Sequence, residues 1–197
     1  MVDRLEYNFE RPSEVFRRTS ASEEKGVSVQ SLVSGIVAKC TVVDSSSIRL
    51  GQGARTFRRA KNLLRNWRHF ELGWAYTNRP PVRLEEPVAV VARSLGLWTV
   101  NPLRINQCDM GDSLVRKLVF MDKRRVSFSH RTLEGHQISG EETFVVEWKK
   151  DGSVWYQVKT VSRPGTALAV VTYPILRLYQ NKFKQDSLRK MKAEVAA

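Results

Sequence analysis

The sequence has few cysteines and no long apolar run. Its 2 cysteines, Cys40 and Cys108, lie far apart and fit no metal-binding or redox spacing. This scarcity excludes a disulfide-stapled scaffold and indicates free thiols in a reducing compartment. The longest apolar stretch, residues 167–176, is too short to span a membrane as a helix and contains Pro174. The N-terminal residues are acidic rather than apolar, so we expect no secretory signal and an intracellular, cytoplasmic protein.

The common catalytic and metal-binding motifs are also missing. The chain contains no H-E-x-x-H, C-x-x-C or G-x-S-x-G sequence. Gly51 and Gly53 precede a predicted helix, but the rest of a phosphate-binding fingerprint is absent, which favours a tight strand-to-helix turn. The sequence therefore predicts no cofactor and no metal ion. It favours a protein without enzymatic activity, although a cyclase- or hydrolase-like enzyme stays open.

Acidic residues are in the minority. The 33 basic and 20 acidic residues give a net charge of +13, which favours an anionic partner such as a membrane surface or nucleic acid. One basic stripe recurs at helical spacing and is the candidate contact with such a surface: Arg58, Lys61, Arg65 and Arg68. The alternative is a solvated basic surface that serves solubility.

The first part of the chain predicts mixed elements. Residues 1–25 indicate a short helix and a polar linker, and residues 26–197 a single domain. Residues 27–43 predict a strand, residues 44–47 a turn and residues 48–50 a second, brief strand. An amphipathic helix follows, with its apolar stripe at Phe57, Ala60, Leu64 and Trp67.

Farther along the chain the hydrophobic period becomes two. Alternation recurs in six runs, at residues 88–92, 103–107, 115–119, 126–130, 144–148 and 154–158. Asp151-Gly152 predicts a hairpin between the last two runs. Pro174 is predicted to start a final helix with Leu176, Tyr179 and Phe183 on one stripe. We therefore expect an α+β fold, a curved antiparallel sheet of about six to eight strands wrapped on a long C-terminal helix.

One predicted strand carries polar groups on its apolar face. If residues 132–148 are extended, His136 and Glu142 share a face with Phe144. Buried ionisable groups need partners, so this pattern predicts a polar patch in an apolar interior. The alternative is a hairpin in the 133–140 loop that leaves both residues in solvent.

A sheet closed over a helix commonly leaves a cavity. We expect one between the C-terminal helix and the concave face of the sheet. Its candidate lining consists of Phe144 and Tyr156 from the sheet and Tyr179 from the helix, and His136, Glu142 and Arg163 are the candidates for orienting a ligand's polar end.

Several motifs occur together in a characteristic order. They are G-x-G at 51–53, N-P-L-R-I at 101–105, T-L-E-G-H-x-x-S-G-E-E-x-F at 132–144, D-G-x-V-W-Y at 151–156, S-R-P at 162–164 and Y-P-x-x-R-x-x-Q at 173–180. Over roughly residues 26–185 the chain resembles the uncharacterised family DUF1990, also called UPF0548. It departs from the family at residues 129–131, where members usually carry glycine or an aromatic residue.

The resemblance implies a START-like, Bet v 1-related helix-grip fold. Such domains hold hydrophobic ligands between the sheet and the C-terminal helix. Together with the residue patterns, it favours a non-enzymatic module that binds a small hydrophobic or amphipathic ligand. Plant members are linked to the chloroplast outer envelope, so a peripheral or pore-type membrane protein there is an alternative function and location. Nucleic-acid binding through the basic surface is a third alternative.

Overall fold

The computed structural model describes residues 41–111, 124–134, 138–164 and 167–197. The predicted N-terminal helix and linker, the predicted strand at 115–119 and His136 lie outside these residues.

The described chain forms one curled antiparallel sheet and two α-helices. The sheet has seven strands in the order β1-β7-β6-β5-β4-β3-β2, and every neighbouring pair is antiparallel. In chain order the elements are β1 (Val42–Gln52), α1 (Gly53–Arg65), a 3-10 turn (Arg68–Phe70), β2 (Ala75–Thr77), β3 (Pro87–Ser94), β4 (Leu97–Asp109), β5 (Arg125–Thr132), β6 (Ile138–Trp148), β7 (Ser153–Pro164) and α2 (Ala167–Ala196). The predicted α+β fold, with a curved sheet around a long C-terminal helix, is confirmed.

Two predicted boundaries are wrong. The turn expected at residues 44–47 is part of a continuous β1, because each of these residues pairs with β7 and the alternating pattern of burial continues through them. The final helix starts at Ala167, so Pro174 lies inside α2 rather than at its start. A proline inside a helix lacks the N–H that would bond four residues back, and its ring crowds the carbonyl there, so Pro174 weakens α2 locally.

The core lies where α1 and α2 meet the inner face of the sheet. Phe57, Ala60 and Leu64 form the buried stripe of α1, as the sequence predicts, and α2 contributes Leu188 and Met191. Aromatic rings fill the centre: the centroid of Trp67 lies 4.9 Å from that of Phe128, and Phe70 lies 4.6 Å from Phe183. The predicted hairpin at Asp151-Gly152 is present between β6 and β7, with Gly152 at a φ of 83° that glycine adopts without strain.

Candidate ligand-binding site

A cavity of about 210 Å³ lies between the first half of α2 and the inner face of the sheet. Its lining comes from β3 to β7, from α2 and from the segment that leads into β2. Apolar side chains form most of the wall, among them Phe70, Leu103 and Phe183. A smaller group of polar residues also reaches it: Asn101, His130, Thr132, Glu142, Thr160, Ser162 and Gln180.

The cavity exists because small residues occupy this end of the sheet. Ala75, Ala92, Ser94 and Gly140 line it, whereas the neighbouring core is filled by aromatic rings. At Gly140 a Cβ atom would lie 2.4 Å from the carbonyl oxygen of Val161, so a side chain there would displace the backbone of β7. Larger residues at Ala75, Ala92 or Ser94 would fill the space.

Thr132 holds β5 and β6 together beside this glycine. Its Oγ1 accepts a hydrogen bond from the Gly140 N–H at 2.8 Å and donates one to the Gly140 carbonyl at 3.2 Å. Two residues of the T-L-E-G-H-x-x-S-G-E-E motif, Thr132 and Gly140, therefore join β5 to β6 at the cavity wall. Glu142 lies within β6, so the alternative that places it in a solvent-exposed loop does not apply.

A polar row crosses the sheet at the cavity. His130 on β5 pairs with Glu142 on β6, and Glu142 pairs in turn with Thr160 on β7. The Nε2 atom of His130 lies 3.2 Å from a carboxylate oxygen of Glu142. The His130 side chain is 3% exposed and that of Glu142 is 20% exposed, so solvent reaches the pair mainly at the carboxylate. Both residues line the cavity.

The second ring nitrogen of His130 is unsatisfied within the described chain. Nδ1 is buried and has no hydrogen-bond partner among the described residues. A carboxylate only accepts hydrogen bonds, so Nε2 carries the proton that points at Glu142. In the neutral ring this leaves Nδ1 as an acceptor. The hydroxyl of Thr160 is a second buried group at the cavity wall without a partner in the described chain.

A hydrogen bond joins α2 to the β3-β4 hairpin beside the cavity. The backbone N–H of Leu95, at the hairpin tip, donates a hydrogen bond to the Tyr179 hydroxyl at 2.9 Å. Tyr179 and Ser94 line the cavity, while the Leu95 side chain is 71% exposed. This single bond ties the hairpin tip to the helix.

A buried ion pair fixes the position of α2 over the sheet. Lys184 is 2% exposed, and its Nζ contacts the carboxylate of Asp44 on β1. Arg177 lies 3.0 Å from the same oxygen. The hydrogen bond from Lys184, together with these two positive charges, lowers the pKa of Asp44. The sequence predicted a turn at residues 44–47 and gave no sign of this link.

The structure places the predicted site residues in different positions. Glu142 and Tyr179 line the same cavity. Phe144 and Tyr156 belong to the packed core instead, where the Tyr156 hydroxyl bonds to Ser187 at 2.9 Å and burial raises the pKa of Tyr156 well above its ordinary value. Arg163 on β7 is not among the residues that line the cavity.

Two histidines were absent from the predicted site. His130 could have been found, because it continues the alternation of Val126 and Phe128 on an apolar face. His69 gives no such signal, since it lies in the short 3-10 turn after α1. It is fully buried among aromatic rings, with its centroid 4.6 Å from that of Phe144. Burial, and to a lesser extent the nearby His130, lowers the pKa of His69 well below its ordinary value.

The predicted basic stripe is divided by the fold. Arg58, Arg65 and Arg68 line a shallow groove beside α1, whereas Lys61 does not. Arg68 forms ion pairs with Glu71 at 2.5 Å and with Glu194 at 2.8 Å. Contact with an anionic surface stays a prediction for these residues.

Two further features concern only the residues that the structure describes. No group of three or more His, Cys, Asp or Glu side chains in them is arranged to hold a metal ion. Neither helix is both long and apolar enough to cross a membrane.

A curled antiparallel sheet that grips a long C-terminal helix, with a cavity between them, defines the helix-grip fold. A family model described as "Domain of unknown function (DUF1990)" matches residues 39–190. The chain belongs to this family, as its motifs predict.

Relatives and a solved structure agree with this assignment. A UPF0548 protein of Dictyostelium discoideum is 34% identical over 158 residues, which cover 76% of this chain and 70% of the relative. A UPF0548 protein of Arabidopsis thaliana is 26% identical over 155 residues, covering 74% and 69%. The crystal structure of Ara h 8.0201 matches with a TM-score of 0.50 and 9% identity, over 79% of this chain and 98% of that one. This last likeness concerns the fold alone.

Proposed function

We propose that the protein is a non-enzymatic module that binds a small, largely apolar ligand carrying a hydroxyl group. The apolar part of the ligand occupies the cavity under α2, and its hydroxyl donates a hydrogen bond to Nδ1 of His130. The observation that carries the proposal is this buried, unpartnered nitrogen among the described residues, held at the wall of a cavity by Glu142. A buried polar atom without a partner is costly, and a ligand hydroxyl would remove that cost.

The size of the cavity limits the ligand. A volume of about 210 Å³ exceeds the roughly 150 Å³ of an engineered cavity that binds benzene. It lies below the roughly 300 Å³ at which sites for drug-sized molecules begin. The ligand class is therefore a substituted single ring or a short branched alcohol rather than a whole phospholipid.

The test compares two probes that differ by one hydroxyl group. Calorimetric titration with para-ethylphenol and with ethylbenzene isolates the contribution of the polar anchor. We expect para-ethylphenol to bind about tenfold more tightly, equivalent to about 1.4 kcal/mol from one buried hydrogen bond. Equal affinities would show that His130 does not receive the ligand's hydroxyl.

A matched pair of variants locates the binding. Ala92 on β3 faces the cavity, and Ala89 on the same strand has the opposite parity. Ala92→Leu is expected to fill the cavity and abolish para-ethylphenol binding, while Ala89→Leu binds as the unmodified protein does. Melting curves show whether both variants fold. Binding that survives in folded Ala92→Leu would place the probe elsewhere and reject the cavity as the site.

A further inference from the structure

A second concave site lies on another part of the surface. It is a groove of about 1100 Å³ between α1 and the segment at residues 79–82. Six arginines line it: Arg55, Arg58, Arg59, Arg65, Arg68 and Arg79. Among the described residues no aspartate or glutamate lines the groove, and its lining shares no residue with that of the cavity.

The shape of the groove is built into the fold. The indole N–H of Trp67, a side chain that is 1% exposed, donates a 2.7 Å hydrogen bond to the carbonyl of Pro80. This bond fixes the wall opposite α1, and Pro80-Pro81 gives that wall a restricted backbone. The backbone of this wall is therefore held in place beside α1.

The arginine side chains of the groove differ in their ion-pair and hydrogen-bond partners. Arg79 forms an ion pair with Glu71 at 2.7 Å, and the Nε of Arg59 donates to the backbone carbonyl of Glu194 at 2.9 Å. Arg55 and Arg58 are exposed on α1 and have no ion-pair or hydrogen-bond partner in the described part of the chain. The helix itself contains no acidic residue that could compete for them. Their guanidinium groups are available to a ligand.

We infer that this arginine groove binds a soluble small molecule that carries a chain of phosphate groups. Guanidinium groups bind phosphate oxygens through paired hydrogen bonds, and several along one groove suit a ligand with several phosphates. A small ligand can enter a recess, whereas a flat bilayer cannot, so the shape of the groove favours a small ligand as its partner. This inference does not depend on the function proposed for the cavity.

Calorimetric titration with inorganic tripolyphosphate at physiological ionic strength tests the groove. We expect the double variant Arg55→Gln/Arg58→Gln to bind about tenfold more weakly, because two charge-assisted contacts are lost. Arg93→Gln/Lys159→Gln removes the same charge from exposed positions outside the groove and is expected to retain affinity within about twofold. Arg55→Lys/Arg58→Lys keeps the charge but loses the paired geometry, so an intermediate affinity is expected.

Three results would overturn the inference. The first is that tripolyphosphate fails to bind the folded protein. The second is that the control double variant weakens binding as much as the groove variant, which would reduce the effect to net charge. The third is binding to phosphatidylserine vesicles that depends on Arg55 and Arg58 while tripolyphosphate does not compete, which would identify a membrane surface as the partner.

Discussion

His130 and Glu142 face each other across β5 and β6, with 3.2 Å between Nε2 and the nearer carboxylate oxygen, at the wall of the cavity. The sequence pairs Glu142 with His136 instead, but His136 lies outside the described residues. The observed pair has two consequences. It orients the His130 ring, and it supplies the partner that a nearly fully buried imidazole requires.

Replacing Glu142 should show how much its hydrogen bond to His130, rather than the shape of its side chain, contributes to stability. Glu142→Leu leaves Nε2 of His130 without an acceptor, so we expect the free energy of unfolding to fall by about 1–3 kcal/mol. Glu142→Gln retains an oxygen that can accept the same bond and should lose less than about 1 kcal/mol. Urea unfolding measures both. A leucine variant as stable as the original protein would mean that the pair contributes nothing to the fold.

The buried His69 predicts a loss of stability in acid. Its pKa is lowered in the folded state, so the unfolded chain binds a proton at higher pH than the folded protein does. The contribution of neutral His69 to stability is fully present above the pKa of histidine in the unfolded chain, about 6.5. It is lost as the pH falls below that pKa. Between about pH 6.5 and pH 5, the loss is up to about 2 kcal/mol.

A variant isolates this contribution from other titrating groups. His69→Phe keeps an aromatic ring in the same cluster and removes the titration. Urea unfolding at about pH 7.5 and about pH 5 should therefore show a smaller decline for His69→Phe than for the original protein. Identical declines would show that His69 is not held neutral.

Removing Asp44 should destabilise the protein more than removing the charge of Lys184. Asp44→Ala leaves a 2%-exposed lysine without its carboxylate, so we expect to lose about 2–3 kcal/mol of unfolding free energy, the partial exposure of Asp44 moderating the cost. Lys184→Met removes the buried charge and should cost less. Arg83→Ala, which breaks an exposed pair with Glu86, serves as the control and should change little. Equal losses for Asp44→Ala and the control would contradict the account.

The contact between Tyr179 and Leu95 should govern ligand exchange. Tyr179→Phe removes the hydroxyl that accepts the Leu95 N–H, so the hairpin tip is freed and para-ethylphenol should dissociate faster. Tyr76→Phe removes a hydroxyl from an exposed tyrosine that does not line the cavity and serves as the control. Stopped-flow measurement of dissociation compares them. Unchanged rates in Tyr179→Phe would mean that the hairpin does not gate the cavity.

Period and composition predicted the architecture because the buried faces follow regular spacing. The stripe Phe57, Ala60 and Leu64 on α1 and the alternation of Val126, Phe128 and His130 on β5 both appear in the structure. The boundaries failed where tertiary pairing overrides local preference, as at the serine-rich part of β1, which pairs with β7.

The candidate site was predicted only in part, for a similar reason. Parity alone identified Glu142, and helical spacing identified Tyr179. The partner of Glu142 depends on which residues of β5 and β6 lie opposite each other, and the sequence pattern does not give that register. The sequence pattern also does not show how deeply a side chain is buried. It therefore placed Phe144 and Tyr156 at the cavity, although both belong to the packed core.

The most direct test of the central claim is nuclear magnetic resonance of the histidine ring nitrogens during titration with para-ethylphenol. The chain has 3 histidines, so His69 and His136 serve as internal references. We predict that the resonances of His130 change on binding, with Nδ1 shifting more than Nε2, while those of His69 stay in place. Saturable binding of para-ethylphenol without any change at His130 would contradict the account.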